Sequence, residues 1–387
     1  MTATYFTPAV LVGLDFGTPF QEDYLAEARE LIGSAGAKVL ATITGKRQRP
    51  DAATFAGSGK VEEIAASVAA HGAKLVVFNH QLSPAQIRNL EQATGARVID
   101  RTDLILEIFG QRARSAEGKL QVELAQSEHL LTRLVRAWTH LERQRGGFGA
   151  RGGPGETQLE IDRRLIGERI KRLKERLKKV QQQRHTQRSG RRQTQTFSVS
   201  IVGYTNAGKS TLFNRLTHSQ TYVADKLFAT LDTTTRRLFL DETAALALSD
   251  TVGFIRDLPH GLVAAFRATL EEAVQARLLL HVVDASNPLC EQQIGDVNDV
   301  LKEIGAGDIP QIVIYNKIDL LSEAGTLPAE GVRNEYGKID KLYISAAKST
   351  GMEMLRNTLR EYVHAGEKYS DVKPPALNEH GADLHLY

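Results

Sequence analysis

The sequence predicts an α/β protein in three parts, two βα-alternating units separated by a pair of long amphipathic helices. Three observations carry this. Short apolar runs alternate with helical patterns over residues 8–101 and again from 197. Two heptad stripes flank a glycine-rich stretch, GGFGARGGPGETQ, at 146–158. The chain, at 387 residues, is too long for one ordinary domain.

In the first unit, AVLVGLDF (9–16), KVLATITG (38–45), KLVVFNH (74–80) and ARVID (96–100) are predicted to be buried strands. Residues 23–36, 61–72 and 83–95 have apolar spacings near 3.6 and each ends in glycine, a helix C-terminal signal. The βαβα alternation implies a small parallel sheet, placed at 1–112. AGSGK at 56–60 lacks the spacing of a nucleotide loop and a following Ser or Thr, so it is expected to be a turn before a helix.

Residues 113–185 form the second part. Leu120, Leu124, Leu131, Leu134, Trp138 and Leu141 make one heptad stripe; Leu159, Ile166, Ile170, Leu173, Leu177 and Val180 make another. Two such helices joined by one glycine loop predict an antiparallel coiled-coil hairpin with its tip at 146–155. A polar linker is expected at 186–196.

Composition narrows the function. Hydrophobic content of 42% and charged content of 25% are those of a soluble globular protein. One cysteine, Cys290, excludes an internal disulfide framework and a cysteine-based zinc site, and it fits a reducing cytoplasm. The N-terminal stretch lacks the basic start of a secretory signal, and no apolar run reaches the roughly 20 residues of a membrane span. The net charge of +3 hides an asymmetry: residues 163–192 hold thirteen Lys or Arg against two Glu, so the segment is +11 and the remainder 3 − 11 = −8. Concentrated basic charge points to a polyanionic partner.

The third part, 197–366, returns to βα alternation. FSVSIVG, AALALSD, LLLHVVDAS, QIVIYNK and KLYISAA are predicted strands; helices are expected at 208–217, 263–276, 290–305 and 351–363; residues 367–387 form a polar tail. Between the first strand and helix lies GYTNAGKS, a phosphate loop of the form G-x4-G-K-S. Its backbone amides and the helix N-terminus favour phosphate, Lys209 is expected on the β- and γ-phosphates, and the Ser210 hydroxyl on Mg²⁺. Asp250-Thr251-Val252-Gly253 follows a strand, with Asp250 placed behind the Mg²⁺ shell and the Gly253 amide at the γ-phosphate. Asn316-Lys317-Ile318-Asp319 ends another strand; a carboxylate there accepts from guanine N1–H and its N2 amine, while Asn316 secures the neighbouring loop and Lys317 packs over the ring. Ser345-Ala346 can present an N–H to guanine O6. This set predicts a doubly wound P-loop GTPase domain selective for GTP and GDP. FATLDTTTR carries a switch-like pattern in which Thr230, Thr233, Thr234 and Thr235 compete to complete the Mg²⁺ shell.

The arrangement resembles the HflX family of ribosome-associated GTPases along essentially the whole chain. RQRGGFGARGGPGETQLEIDRR (143–164) is similar to that family's hairpin signature, with one glycine more at Gly152-Gly153 than the usual R-G-P-G-E-T-Q. FATLD (228–232) is similar to its switch motif, which favours Thr230 as the magnesium ligand. With the motifs above, the expected nucleotide site is Gly203, Tyr204, Thr205, Asn206, Ala207, Gly208, Lys209, Ser210 and Thr211; Phe228, Ala229, Thr230, Leu231 and Asp232; Asp250 to Gly253; Asn316 to Asp319; and Ile344, Ser345 and Ala346. Lys209, Thr230 and Gly253 are its expected catalytic groups. The resemblance implies GTP-dependent binding to the large (50S) ribosomal subunit and splitting of stalled ribosomes under stress, in the cytoplasm; nothing in the sequence demands more than a monomer.

The position after Gly253, where many GTPases carry a water-orienting Gln, is Phe254. A slow basal GTPase stimulated by a partner is therefore expected; Arg256 and Arg267 lie nearby in sequence without a sign that either enters the site. The glycine tip lacks a Lys-Ser/Thr end and sits between helices, so it is no second phosphate loop. Arg145, Arg151 and Phe148 can pair with phosphate or stack on bases, which predicts RNA contact. The alternative is a regulatory GTP-binding switch that acts on a protein partner or on ribosome assembly. A second nucleotide site in the N-terminal domain finds no second complete phosphate loop.

Overall fold

The computed structural model describes all residues except 1–5, 18, 20, 145–157, 193–196, 220–226, 243, 257–269, 322–328, 336, 338 and 371–387. At 135–144, 158–159, 181, 183–192 and 366–370 it describes the backbone alone.

The N-terminal sheet is parallel, with β1 (Thr7–Asp15), β2 (Ala37–Lys46), β3 (Leu75–Phe78) and β4 (Arg97–Ile99) in the order β2-β1-β3-β4. Helices α1 (Gln21–Ser34), α2 (Ser58–His71), α3 (Pro84–Thr94) and α4 (Arg101–Arg112) connect and follow the strands. Of AGSGK, Ala56 and Gly57 lead into α2, with Gly57 at its cap, and Ser58 to Lys60 already form its first turn. Reciprocal capping boxes start α3 (Ser83 with Gln86) and α4 (Asp100 with Asp103). On one face of the sheet, Ile64 and Leu90 pack on Val10, Val12 and Phe78. On the other, Leu25, Leu31, Leu104 and Phe109 pack on Leu11 and Val77.

That second cluster does not stop at the predicted boundary near residue 112. It continues into Val122 and Ala125 of the hairpin root and into Tyr204, Phe228 and Phe254 of the C-terminal domain. One hydrophobic core thus joins all three parts. His129 and Arg133 add polar ties from the hairpin root to Asp103 of α4, at 3.0 and 2.6 Å.

The hairpin comprises α5 (Ala116–Gln144) and α6 (Gln158–Arg192). Leu120, Leu124, Ile170, Leu173 and Leu177 form its own core, flanked by Leu131, Ile166 and Val180, as the heptad stripes require. Arg169–Glu123 and Lys174–Glu128 bridge the helices at 2.7 and 2.8 Å; such exposed pairs contribute at most about 1 kcal/mol each. The stretch expected to begin the linker at 186 is helical as far as Arg192. Its Gln and Arg residues are good helix formers, and one glycine costs only about 1 kcal/mol.

The C-terminal domain holds a seven-stranded sheet: β5 (Phe197–Gly203), β6 (Thr234–Phe239), β7 (Ala245–Asp250), β8 (Leu278–Asp284), β9 (Gln311–Asn316), β10 (Glu330–Arg333) and β11 (Ile339–Tyr343). The order is β10-β11-β9-β8-β5-β7-β6, parallel except for the antiparallel edges β6 and β10. Around it lie α7 (Lys209–Thr217), α8 (Cys290–Ile304) and α9 (Met352–Ser370), with a helical stretch at 270–274. Leu212, Phe213, Leu355 and Leu359 pack on Ile201, Leu248, Leu280 and Ile314. β5 lies between β7 and β8, with β6 and β7 to one side and β8 and β9 to the other, so the loop after β5 opens at the switch point where ligands bind in such sheets.

The two edge strands were not predicted. In β6 only Leu238 is buried, and Arg236, Arg237 and Phe239 are exposed, so there is no apolar alternation to read. β10 has only four residues and no buried one.

Candidate active site

The loop from Gly203 to Gly208 turns β5 into α7, directing the helix N-terminus at the space beyond the strand ends. Lys209, the first residue of α7, is buried and donates its Nζ to the Tyr204 carbonyl at 2.7 Å. Burial pushes its ammonium down to about 8, opposed by the nearby Asp250 carboxylate. A Cβ at Gly253 would stand 2.8 Å from that Nζ, so only glycine lets the strand-end loop come so close to the lysine.

Beside the lysine, the structure gathers three oxygens. Ser210 Oγ lies 2.8 Å from Thr230 Oγ1 and donates to Asp250 Oδ2 at 2.7 Å. Of the four competing threonines, Thr230 is the one whose hydroxyl meets Ser210. Asp250 is fully buried, which pushes its carboxyl up, while the Ser210 bond and Lys209 oppose that rise. Its Oδ1 and the Thr205 Oγ1 are buried without a hydrogen-bond partner among the described residues. Hard oxygen donors with an unpaired carboxylate oxygen fit a hydrated divalent cation, Mg²⁺ above all. A groove of about 60 Å³ runs past these groups, lined among others by Asn206, Lys209, Ser210, Ala229, Thr230 and Gly253. Thr211, Gly208, Thr205 and Phe228 also border it.

At the other end, Asn316 joins two loops. Its Nδ2 donates to the Ala207 carbonyl and its Oδ1 accepts from the Ala346 N–H, both at 2.9 Å. The N–H expected to face guanine O6 is therefore already engaged by Asn316 here. Gly208 has φ +95, and a Cβ there would stand 2.2 Å from Asn316 Nδ2. Asp319 Oδ1 accepts from Ser345 Oγ at 2.6 Å. Lys317, in a left-handed conformation at φ 66, pairs with Asp284 at 2.7 Å. Ile318 and Ile344 are buried beneath this end.

Other expected site residues face elsewhere. The Tyr204 hydroxyl binds Glu27 of α1 and accepts the Arg256 N–H at 2.8 Å. Thr251 Oγ1 donates to the Ile201 carbonyl at 2.6 Å, and Leu231 and Val252 are core residues. The Asp232 carboxylate turns to the start of α5. Phe254 is 2% exposed within the shared core. The Arg256 guanidinium lies 3.4 Å over the Tyr24 ring and not in the groove. Arg145, Phe148, Arg151 and Arg267 lie outside the described residues. Sequence reasoning missed Glu27 and Arg101, which pair with each other at the junction, where Arg101 also donates to the Arg256 carbonyl at 3.1 Å. It also missed Asp284, whose one local signal is its place at a strand end.

A phosphate loop at the switch point, a serine–threonine–aspartate oxygen cluster and an Asn-Lys-x-Asp strand end together define a P-loop GTPase. Models of three families match the chain in sequence: GTP-binding GTPase N-terminal over residues 22–110, GTP-binding GTPase Middle Region over 112–191, and 50S ribosome-binding GTPase over 198–317. GTPase HflX of Escherichia coli K12 is 53% identical over 353 residues, covering 91% of this chain and 82% of its own. GTPase HflX of Magnetococcus marinus is 51% identical over 362 residues, covering 93% and 83%. Among solved structures, a crystal structure of SsGBP with GDP matches at 25% identity and a TM-score of 0.52, over 93% of this chain and 99% of that one. The chain belongs to the HflX family of GTPases. Among the described residues no helix is long and apolar enough to cross a membrane.

Proposed function

We propose that this GTPase binds the large ribosomal subunit in its GTP state through the α5–α6 hairpin, and that it splits or rescues stalled ribosomes under stress. The observation that carries the reading is the distribution of charge. Arg163, Arg164, Lys171, Arg172, Lys178 and Lys179 are all exposed along α6. An exposed row of cations fits the phosphates of ribosomal RNA, and the tip's Arg145, Arg151 and Phe148 suit phosphate pairing and base stacking. The reading places the protein on cytoplasmic ribosomes, acting as a monomer.

In the site, Lys209 binds the β- and γ-phosphates, and the Gly253 N–H senses the γ-phosphate. Ser210 and Thr230 hold Mg²⁺, with Asp250 behind them. Bound Mg²⁺ neutralises charge developing on the phosphate oxygens. Asp319 accepts from the guanine edge, and Asn316 fixes the loops on either side of the base. Phe254, buried in the core, cannot orient the attacking water. Basal turnover is accordingly slow, and the missing element comes with the subunit.

The test is GTP turnover by the purified chain, alone and with purified large subunits, at two salt concentrations. Stimulation that collapses at higher salt supports the reading, because phosphate contacts weaken steeply with ionic strength. Unchanged turnover removes the ribosome as activator and favours a protein partner.

A further inference from the structure

The loop that carries Thr230 is held at three points by the rest of the chain. The Leu227 N–H donates to Ser34 Oγ at the end of α1, at 3.1 Å. The Phe228 ring packs edge-on against Phe109 of α4, centroids 4.6 Å apart. Asp232 reaches the root of the hairpin. Its Oδ2 accepts the backbone N–H groups of Arg114 and Ser115, both at 2.9 Å, and its Oδ1 accepts from the Ser115 hydroxyl.

Ser115 is the cap of α5. Its carbonyl accepts from Lys119 N–H at 3.0 Å, and its Oγ accepts from Gly118 N–H at 2.8 Å. Gly118 is buried, and a Cβ there would stand 2.4 Å from Asp232 Oδ1. A helix N-terminus attracts a carboxylate through its free N–H groups and its dipole. Here that carboxylate comes from the switch loop, more than a hundred residues along the chain. Thr230 and Asp232 are two residues apart, a span of at most about 7 Å of extended chain. The loop therefore touches the oxygen cluster with one residue and the hairpin root with the next but one.

We propose that Asp232 is a positioning residue for recognition of the GTP state. By capping α5 it places Thr230 against Ser210 and Asp250, so the hairpin root and the magnesium-ligating threonine move as one unit. GDP, which lacks the γ-phosphate that Thr230 helps to close over, is indifferent to this contact. Coupling of this kind is reciprocal: whatever displaces the hairpin root changes the preference for GTP over GDP, and nucleotide state changes the hold on the root by the same factor. The inference rests on the assignment of Thr230 above and adds the route by which the hairpin acts on it.

The experiment measures affinities for GDP and for GTPγS with Mg²⁺, and the Mg²⁺ concentration for half-maximal hydrolysis. It uses the full chain and the variants Asp232→Asn, Ser115→Ala, Gly118→Ala and Thr230→Ala, with a thermal melt of each as the control for folding. For Asp232→Asn and Gly118→Ala the expected result is a loss of GTPγS-over-GDP preference of about fivefold or more, with GDP affinity unchanged and more Mg²⁺ required. Gly118→Ala disturbs the same contact from the helix side, because its Cβ would stand 2.4 Å from Asp232 Oδ1; a purely structural role predicts a lower melting temperature with unaltered nucleotide preference. Equal losses for GDP and GTPγS, or a wild-type preference in Asp232→Asn and Gly118→Ala while Thr230→Ala loses it, would overturn the inference and leave the site assignment standing. A wild-type preference in Thr230→Ala would remove the assignment itself.

Discussion

Asn316 is bonded to Ala207. Its side-chain amide donates to that carbonyl at 2.9 Å, fixing the phosphate loop, while its other face takes the Ala346 N–H. One side chain, 2% exposed, thus ties the phosphate loop to the loop after the last strand.

Replacement of Asn316 by Ala should weaken GDP and GTP to the same degree. Both buried partners lose their bond, and such losses cost about 1–3 kcal/mol, tenfold or more in affinity. Equilibrium titration with a fluorescent analogue of each nucleotide checks this. A selective loss of one nucleotide would show that Asn316 acts on only one end.

On the reading proposed above, Asp319→Asn exchanges an acceptor for a donor at the guanine edge. Affinity for GTP should fall and affinity for xanthosine triphosphate, which carries a carbonyl where guanine carries its amine, should rise. Competition between the two nucleotides reads the switch. An unchanged preference would place the base against some other group.

Phe254→Gln restores the residue type many GTPases use to orient water, yet it should not speed hydrolysis. The side chain points into the core shared by the three parts, so the amide would be buried there at a cost of about 2–5 kcal/mol. Basal turnover together with a melting curve decides the matter. Faster turnover at unchanged stability would mean that the side chain can swing into the site.

His281 of β8 is buried and faces Gln311 Oε1 at 3.3 Å. Burial pushes its imidazole down to about 4, with Lys209 adding to the fall and the Gln311 bond opposing it. The folded value lies below the unfolded one of about 6.5, so between them the unfolded chain binds more protons. Its contribution is complete above about pH 6.5 and is lost as pH falls towards 4, on the order of 3 kcal/mol in all. Urea unfolding across that range should show a shallower pH dependence in His281→Gln. Parallel curves would assign the acid sensitivity to another group.

Much of this protein was legible without coordinates, for a physical reason. The phosphate loop, Asp250 to Gly253 and Asn316 to Asp319 are short motifs at the ends of apolar strands, so spacing and the preceding strand predict those positions. The four N-terminal strands and the heptad stripes are likewise local periodicities. Edge strands β6 and β10 escaped because they bury almost nothing, and the end of α6 escaped because a polar helix carries no apolar period.

What the tertiary structure alone decided is where side chains meet across distance. The spacing of FATLDTTTR leaves four threonines equivalent, and only the family resemblance favours Thr230; its meeting with Ser210, and the docking of Leu227 on Ser34, Phe228 on Phe109 and Asp232 on Ser115, are tertiary. Tyr204 and Phe254 sit inside nucleotide motifs and yet serve the junction with α1 and the shared core. Such choices depend on which surfaces are buried together by segments more than a hundred residues apart, and no local pattern encodes that.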